Sequence, residues 1–269
     1  MRRLWILTLS AVLAGLTMVG FTGSATSSAD GALPADQVVF MVDSGGGLVP
    51  PVVYALESPS LVIYGDGRVL SIVKDDNSVG SVPARYQLTR VDPLSVAAFA
   101  SSAETSGIID PAKDFGQPTV TDMDSTTVTV HGENAPAKVS VYAFHDQFDK
   151  DVTADQQKAR AALRQLIDTA SNLDAGATPS PYAPDSVVVY DVGLGYGDRT
   201  ATTAWPGPPP GSFLRPSNQS RSVACGQLSG AQATSVYNAA LDNPGALWRV
   251  DGASRVLAVN PLPVAESCP

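Results

Sequence analysis

Two histidines, two cysteines and several aspartate clusters are the residues with which this chain could do chemistry. A metal site or a proton relay would need His131 and His145 side by side. In a strand pair over Ser125–His131 and Lys138–His145, His131 shares parity with Thr127 and Thr129, and His145 with Val139 and Val141. The two rings then point to opposite faces, which excludes a shared metal. Ser44, ahead of Gly45-Gly46-Gly47, is the one serine whose setting resembles an exposed nucleophile loop, and it reads more simply as linker. HExxH, GxSxG and Walker A patterns do not occur, and Gly193-Leu194-Gly195-Tyr196-Gly197 lacks dinucleotide-fingerprint spacing. Asn218-Gln219-Ser220 matches a glycosylation sequon.

Carboxylates are the remaining source of chemistry. Asp122 and Asp124 precede a strand, Asp146, Asp149, Asp151 and Asp155 precede a helix, and Asp75, Asp76 and Asn77 follow a hairpin. Such oxygen clusters suit calcium, and a carboxylate pair suits glycoside hydrolysis. The Asp149 cluster lacks the glycine and terminal glutamate of an EF-hand, and aspartates also favour helix starts through the dipole. No catalytic, cofactor-binding or metal residue is therefore assigned. The one assigned pair is a disulfide between Cys225 and Cys268, enclosing about 43 residues and worth about 4 kcal/mol.

A disulfide requires an oxidising compartment, and the first residues supply a route to one. Arg2 and Arg3 precede an uncharged apolar run over Leu4–Phe21, then small polar residues. Residues 1–29 read as a secretory signal peptide, cleaved after Ala25 or Ala29. No cysteine follows the run to carry a lipid. Removing the two leader arginines from 17 basic residues leaves 15 against 26 acidic, a charge of −11. So acidic a chain has no electrostatic footprint for nucleic acid, and it meets a membrane only through an uncleaved leader.

The elements that would position these residues follow from turn and cap chemistry. Leu61–Tyr64 and Arg68–Val73 flank Gly65-Asp66-Gly67, a hairpin apolar on both faces. Asp92-Pro93 caps a helix bearing Val96, Phe99, Ala100 and Ala103 and ended by Gly107. Thr153 and Gln156 form a capping box before a helix whose apolar face is Ala159, Leu163, Leu166, Ile167 and Ala170, with Lys158, Arg160 and Arg164 placed mostly elsewhere. Ser186–Val192 is a strand, Ser229 and Gln232 form a second capping box, and Leu247–Val250 and Arg255–Val259 form a hairpin about Asp251-Gly252. Strand pair then helix thus occurs at 61–106 and 125–171, and more loosely at 186–259. The predicted class is α+β, with antiparallel hairpins and packed helices. The expected division is an N-terminal α+β region at 36–172, a Pro-rich linker at 173–185 and a C-terminal α+β region at 186–269 closed by the disulfide.

The stretch Ser58-Pro59-Ser60-Leu61-Val62-Ile63-Tyr64-Gly65-Asp66-Gly67-Arg68-Val69 resembles a pattern of uncharacterised exported proteins of high-GC Gram-positive bacteria. In those a glycine-rich opening precedes P-x-L-x-x-Y-G-D-G-R-V. A T-D-x-x-T-T strand, met here at Thr121–Thr126 with Ser125 in place of the first paired threonine, and a V-x-V-Y strand, met at Val139–Tyr142, come later. The resemblance covers much of 36–269 and implies an exported α+β protein, with no catalytic residues to carry over.

These observations lead to an exported, non-enzymatic binding or cell-envelope protein whose partner is an unknown protein or envelope glycan. Tyr64, Tyr196, Trp205 and Trp248 are the aromatics available for a groove. The alternatives are a secreted carboxylate-dependent hydrolase using Asp122 or Asp124, with or without calcium, and a protease inhibitor presenting the Trp205–Gly211 loop.

Overall fold

The computed structural model describes residues 31–73, 82–193, 200–217 and 224–262. The leader, Asp75, Asp76, Asn77, Tyr196, the Asn218 sequon and Cys268 lie outside them. The first half contains β1 (Val38–Gly46), α1 (Pro51–Leu56), β2 (Leu61–Tyr64), β3 (Arg68–Ile72), β4 (Tyr86–Arg90), α2 (Pro93–Thr105), β5 (Asp124–Val130), β6 (Ala137–Tyr142), α3 (Ala154–Ser171) and β7 (Ser180–Pro181). Its strands form one antiparallel sheet in the order β6-β5-β1-β2-β3-β4-β7. The second half contains β8 (Ser186–Asp191), α4 (Pro210–Phe213), β9 (Arg215–Pro216), β10 (Ala224–Ser229), α5 (Gly230–Leu241), β11 (Leu247–Val250) and β12 (Ala253–Asn260). These strands form a second antiparallel sheet, β11-β12-β8-β10-β9. The fold is α+β, with hairpins and packed helices.

Apolar alternation explains the layers. Phe40, Val42, Val128, Val130, Val139 and Val141 face the helices, where they meet Val96, Phe99, Ala100, Leu163, Leu166 and Ala170. Phe99 packs edge-on to Phe40, ring centres 5.3 Å apart. The β2–β3 pair is buried on both sides, with Leu61, Ile63 and Val69 toward the helices and Val62 and Leu70 in a separate cluster. In the second sheet β8 is central, and its run of three valines serves both faces. Val187 and Val189 pack with α5, while Val188 and Tyr190 pack with Ala55 and Leu56 of α1.

Caps behave as their chemistry requires, with one exception. The Asp92 carboxylate accepts the Leu94 N–H at 3.2 Å, and the Thr153–Gln156 box is reciprocal. Ser229 is the N-cap of α5, but its side chain makes no capping bond. Here Ser229 ends β10, and Gly230, with φ 58°, turns the chain while its N–H goes to the Asp185 carbonyl.

Several elements differ from expectation. β1 does not stop at the glycines: Gly45 and Gly46 pair with Ser125 and Asp124. β6 ends at Tyr142, and Ala143 takes φ 48°. His145 therefore leaves the strand, and the parity argument does not reach it. Arg160 is fully buried on α3, although the helical pattern set it largely apart from the apolar face. Its guanidinium donates to Asp149 at 2.7 Å and to the carbonyls of Phe115, Tyr142 and Ala143.

The Pro-rich segment is docked. Thr89 donates to Asp174, β7 pairs with β4, and the Tyr182 ring meets Tyr86 edge-on at 6.1 Å. The two halves meet along a seam, where α1 packs on the second sheet. Asn260, 1% exposed, donates to the carbonyls of Ala55 and Glu57 and accepts from Ser58 Oγ and the Leu262 N–H. All four of its hydrogen-bonding positions are used. Among the described residues no helix is long and apolar enough to cross a membrane.

Candidate functional site

The residues singled out from sequence do not converge. His131 and His145 lie at opposite ends of β5. The His131 backbone N–H donates to Val39 and its carbonyl accepts from Gln37, whereas His145 Nε2 lies 2.9 Å from Asp124 Oδ1, at the first residue of β5. Seven strand residues separate them by roughly 20 Å, so distance rather than facing excludes a shared metal. Asp122 sits in a turn with φ 61°. The Asp149 carboxylate is held by Arg160 and Arg164, Asp146 pairs with Arg164, and Asp155 pairs with Lys158. The Arg164 guanidinium, ahead of Arg160, keeps Asp149 ionised below the usual carboxylate range. Among the described residues no group of three metal-ligating side chains gathers. Ser44 lies within β1, its hydroxyl 2.9 Å from that of Thr126.

The named aromatics are committed elsewhere. Trp248 is fully buried, and Trp205 packs on it edge-on at 5.2 Å while donating Nε1–H to Pro208. The Trp205–Gly211 loop is thus anchored at its first residue. Tyr64 lies beneath the Arg68 guanidinium, 4.4 Å from its ring centre.

One carboxylate stands apart. Asp43 on β1 is 8% exposed, a charged side chain among the buried residues of the sheet. Burial raises its pKa, opposed by the charge of Lys138.

A concave site exists, and it lies at the seam of the two halves. A cavity of about 460 Å³ is bounded by the β4–β7 edge on one side and α5 on the other. Tyr182, Tyr237, Arg85, Gln87, Asn238 and Pro181 carry its chemistry. A second cavity of about 260 Å³, reaching Glu57, shares Val73 and Arg85 with it. The two adjoin at those residues, and together they are called the seam groove. No known protein family, curated protein or solved structure matches the chain. The groove must therefore be read from its own chemistry.

That chemistry is rigid and, apart from Arg85 and Glu57, neutral. Tyr86 donates its hydroxyl to the Pro59 carbonyl, and Tyr237 donates to the Ala84 carbonyl at 2.8 Å. The second bond crosses the seam and fixes α5 against the approach to β4. Burial pushes the Tyr182 and Tyr237 pKa values up to about 12 and raises that of Tyr86 further. All three phenols stay protonated at neutral pH; Tyr86 and Tyr237 are buried and hold the wall, and the half-buried Tyr182 ring is the one that presents surface. Arg85 is exposed at the rim, with no ion pair among the described residues.

Sequence reasoning missed this site because its tyrosines come from β4, the Pro-rich segment and α5. The available signal was Tyr182 itself. A large ring between Pro181 and Ala183-Pro184, in a segment otherwise small and polar, has no reason to be there unless it docks.

Proposed function

We propose that this chain is an exported, non-enzymatic binding protein of the cell envelope, and that the seam groove is its binding site. The observation that carries the reading is the groove itself. It has the volume of a ligand site, sits where two packed units meet, and is lined by ring surface with a few polar groups. Phenols pushed up to about 12 suit recognition and not acid–base work near pH 7. The leader at 1–29 and the acidic composition support export.

The test is retention of envelope components by the purified exported protein, compared with its Tyr182→Ala and Arg85→Glu variants. Tyr182 is half-buried and Arg85 exposed, so both variants should keep the wild-type circular dichroism spectrum. Retention of one component by wild type and its loss in both variants is the expected result. Equal retention by all three proteins, or hydrolysis of ester, peptide or glycoside substrates by wild type, would overturn the reading.

One observation favours the hydrolase as a second reading: Asp124 and His145 are already paired at 2.9 Å beside Asp122. In that case Asp124→Asn would abolish hydrolysis of an envelope polymer while leaving the fold intact. Retained hydrolysis in that variant would dismiss the pair as catalytic.

Export also bears on the cysteines. Cys225 is fully buried on β10, and among the described residues no cysteine is a free thiol. We propose Cys268 as its partner. Intact-mass analysis of the denatured, exported protein should show no alkylation before reduction and two alkylated thiols after it. Alkylation without reduction would refute the bond.

A further inference from the structure

Resting on the reading of the seam groove as a binding site, we propose that its occupant is an extended, proline-containing polypeptide segment with an acidic residue over Arg85. Three features lead to this class. The first is shape. Two cavities adjoin at Val73 and Arg85, a succession that suits an extended chain better than a compact ligand. A polyproline-type strand advances about 3.1 Å per residue with no internal hydrogen bonds, and it lies in grooves at low entropic cost.

The second is the lining. Tyr86 and Tyr237 are held by hydroxyl-to-carbonyl bonds, and Tyr182 is braced edge-on against Tyr86. The half-buried Tyr182 ring, backed by those two buried rings, stands alongside Val73, Leu241, Pro179 and Pro181, an apolar lining that would serve as slots for pyrrolidine rings. Gln87 and Asn238 can donate amide N–H groups to the peptide carbonyls between slots. A glycan would ask for the reverse balance, with polar groups around the edge of each sugar. Among the described residues the larger cavity offers those two amides, Arg85, the Tyr182 hydroxyl and Ser180 but no carboxylate, and Ser180 already donates to the Leu88 carbonyl.

The third is charge. Among the described residues Arg85 is the single charged residue lining the larger cavity, and it also lines the smaller one together with Glu57. On a chain with 26 acidic residues this is a local positive point. It selects an acidic residue where the two cavities adjoin and disfavours a basic one.

The experiment uses the purified exported protein and three fluorescein-labelled probes, followed by polarisation. One is a twelve-residue proline–alanine peptide with a central aspartate, the second has lysine in its place, and the third is a neutral hexasaccharide. The aspartate peptide should bind at least tenfold more tightly than the lysine peptide. Arg85→Glu should reverse that order, and Tyr182→Ala should weaken both peptides at least tenfold. Binding of the hexasaccharide alone would overturn the peptide class but leave the groove standing, provided Tyr182→Ala abolishes it. Peptide binding that ignores both substitutions would place the peptide elsewhere and overturn the proposal. If no probe binds, the peptide proposal fails, and the envelope-retention comparison then decides the groove reading separately.

Discussion

Replacing Arg160 with alanine is expected to remove about 3–5 kcal/mol of folding stability, because it breaks a buried pair from one side. The guanidinium is fully buried, and Asp149 beside it is 24% exposed. Three backbone carbonyls also depend on it: Phe115, Tyr142 and Ala143. Two of those lie where β6 ends and the chain turns through Ala143, so Arg160 takes over satisfaction of backbone that has just left the sheet. Its face also rests on the Phe144 ring, 5.3 Å from the centre. Lysine at the site would keep a charge but lose the fork that serves one carboxylate and three carbonyls together. Arg160→Lys should fall between wild type and Arg160→Ala. The control is Lys158→Ala, whose pair with Asp155 is exposed on both sides and should change stability by no more than about 0.5 kcal/mol. Chemical denaturation midpoints at pH 7 check all three. A loss below about 1 kcal/mol for Arg160→Ala would show that water replaces the guanidinium at those carbonyls.

The same cluster fixes the sign of a pH effect. Asp149 is held below its ordinary pKa in the folded chain, with the Arg164 hydrogen bond the largest cause. Its contribution is therefore complete above the unfolded value near 3.8 and is lost as pH falls through the lower folded value. Asp43 acts oppositely. Its raised pKa makes the folded chain bind a proton more readily, so its ionisation on raising the pH costs stability. Acid sensitivity below pH 3.8 that disappears in Asp149→Asn would assign the effect to the arginine clamp.

Arg160 also shows where sequence stops informing. The hairpins at 61–73 and 247–259 were legible because tight turns demand Gly and Asp at fixed places. The helices α2 and α3 were legible from Asp92 and from the Thr153–Gln156 box, both of which are local bonds. A charged residue beside Ala159 and Leu163 reads as solvated, since its carboxylate and carbonyl partners are set by chain geometry elsewhere. The second capping box failed for a related reason: Ser229 is the last residue of β10, so the strand fixes it before the helix begins. β10 itself, Ala-Cys-Gly-Gln-Leu-Ser, has little strand character and is held between β8 and β9. The groove belongs to the same class of non-local facts, being made by the packing of three elements that no periodicity connects.

The Y-G-D-G-R-V hairpin raises the converse question, whether a distinctive motif marks a function or a fold. Its geometry favours the fold, and Gly67→Ala is expected to cost about 3 kcal/mol, combining left-handed strain with backbone overpacking. Gly67 has φ 84°, and a Cβ there would lie 2.0 Å from the Val91 carbonyl oxygen. That approach is functional for the sheet, because the Val91 N–H donates to the Gly67 carbonyl at 2.9 Å as the chain leaves β4 for α2. Gly65 is equally constrained, with a Cβ falling 2.1 Å from the Pro34 carbonyl oxygen. Between them the Asp66 carboxylate accepts the Arg68 backbone N–H and its Nε–H, and Arg68 reaches on to Asp36 while covering Tyr64. Each letter of the motif is thus used within the hairpin or against its neighbours. Gly107 supplies the comparison: its φ is 63°, but no atom lies within 4 Å of a Cβ there. Gly107→Ala should therefore show strain alone, about 1 kcal/mol. Thermal unfolding of both variants, with envelope retention measured on whatever remains folded, separates the two meanings. Destabilised Gly67→Ala that still retains its partner makes the motif a folding device, and any family sharing it shares a hairpin first. A stable Gly67→Ala that loses its partner would move the binding site to this turn.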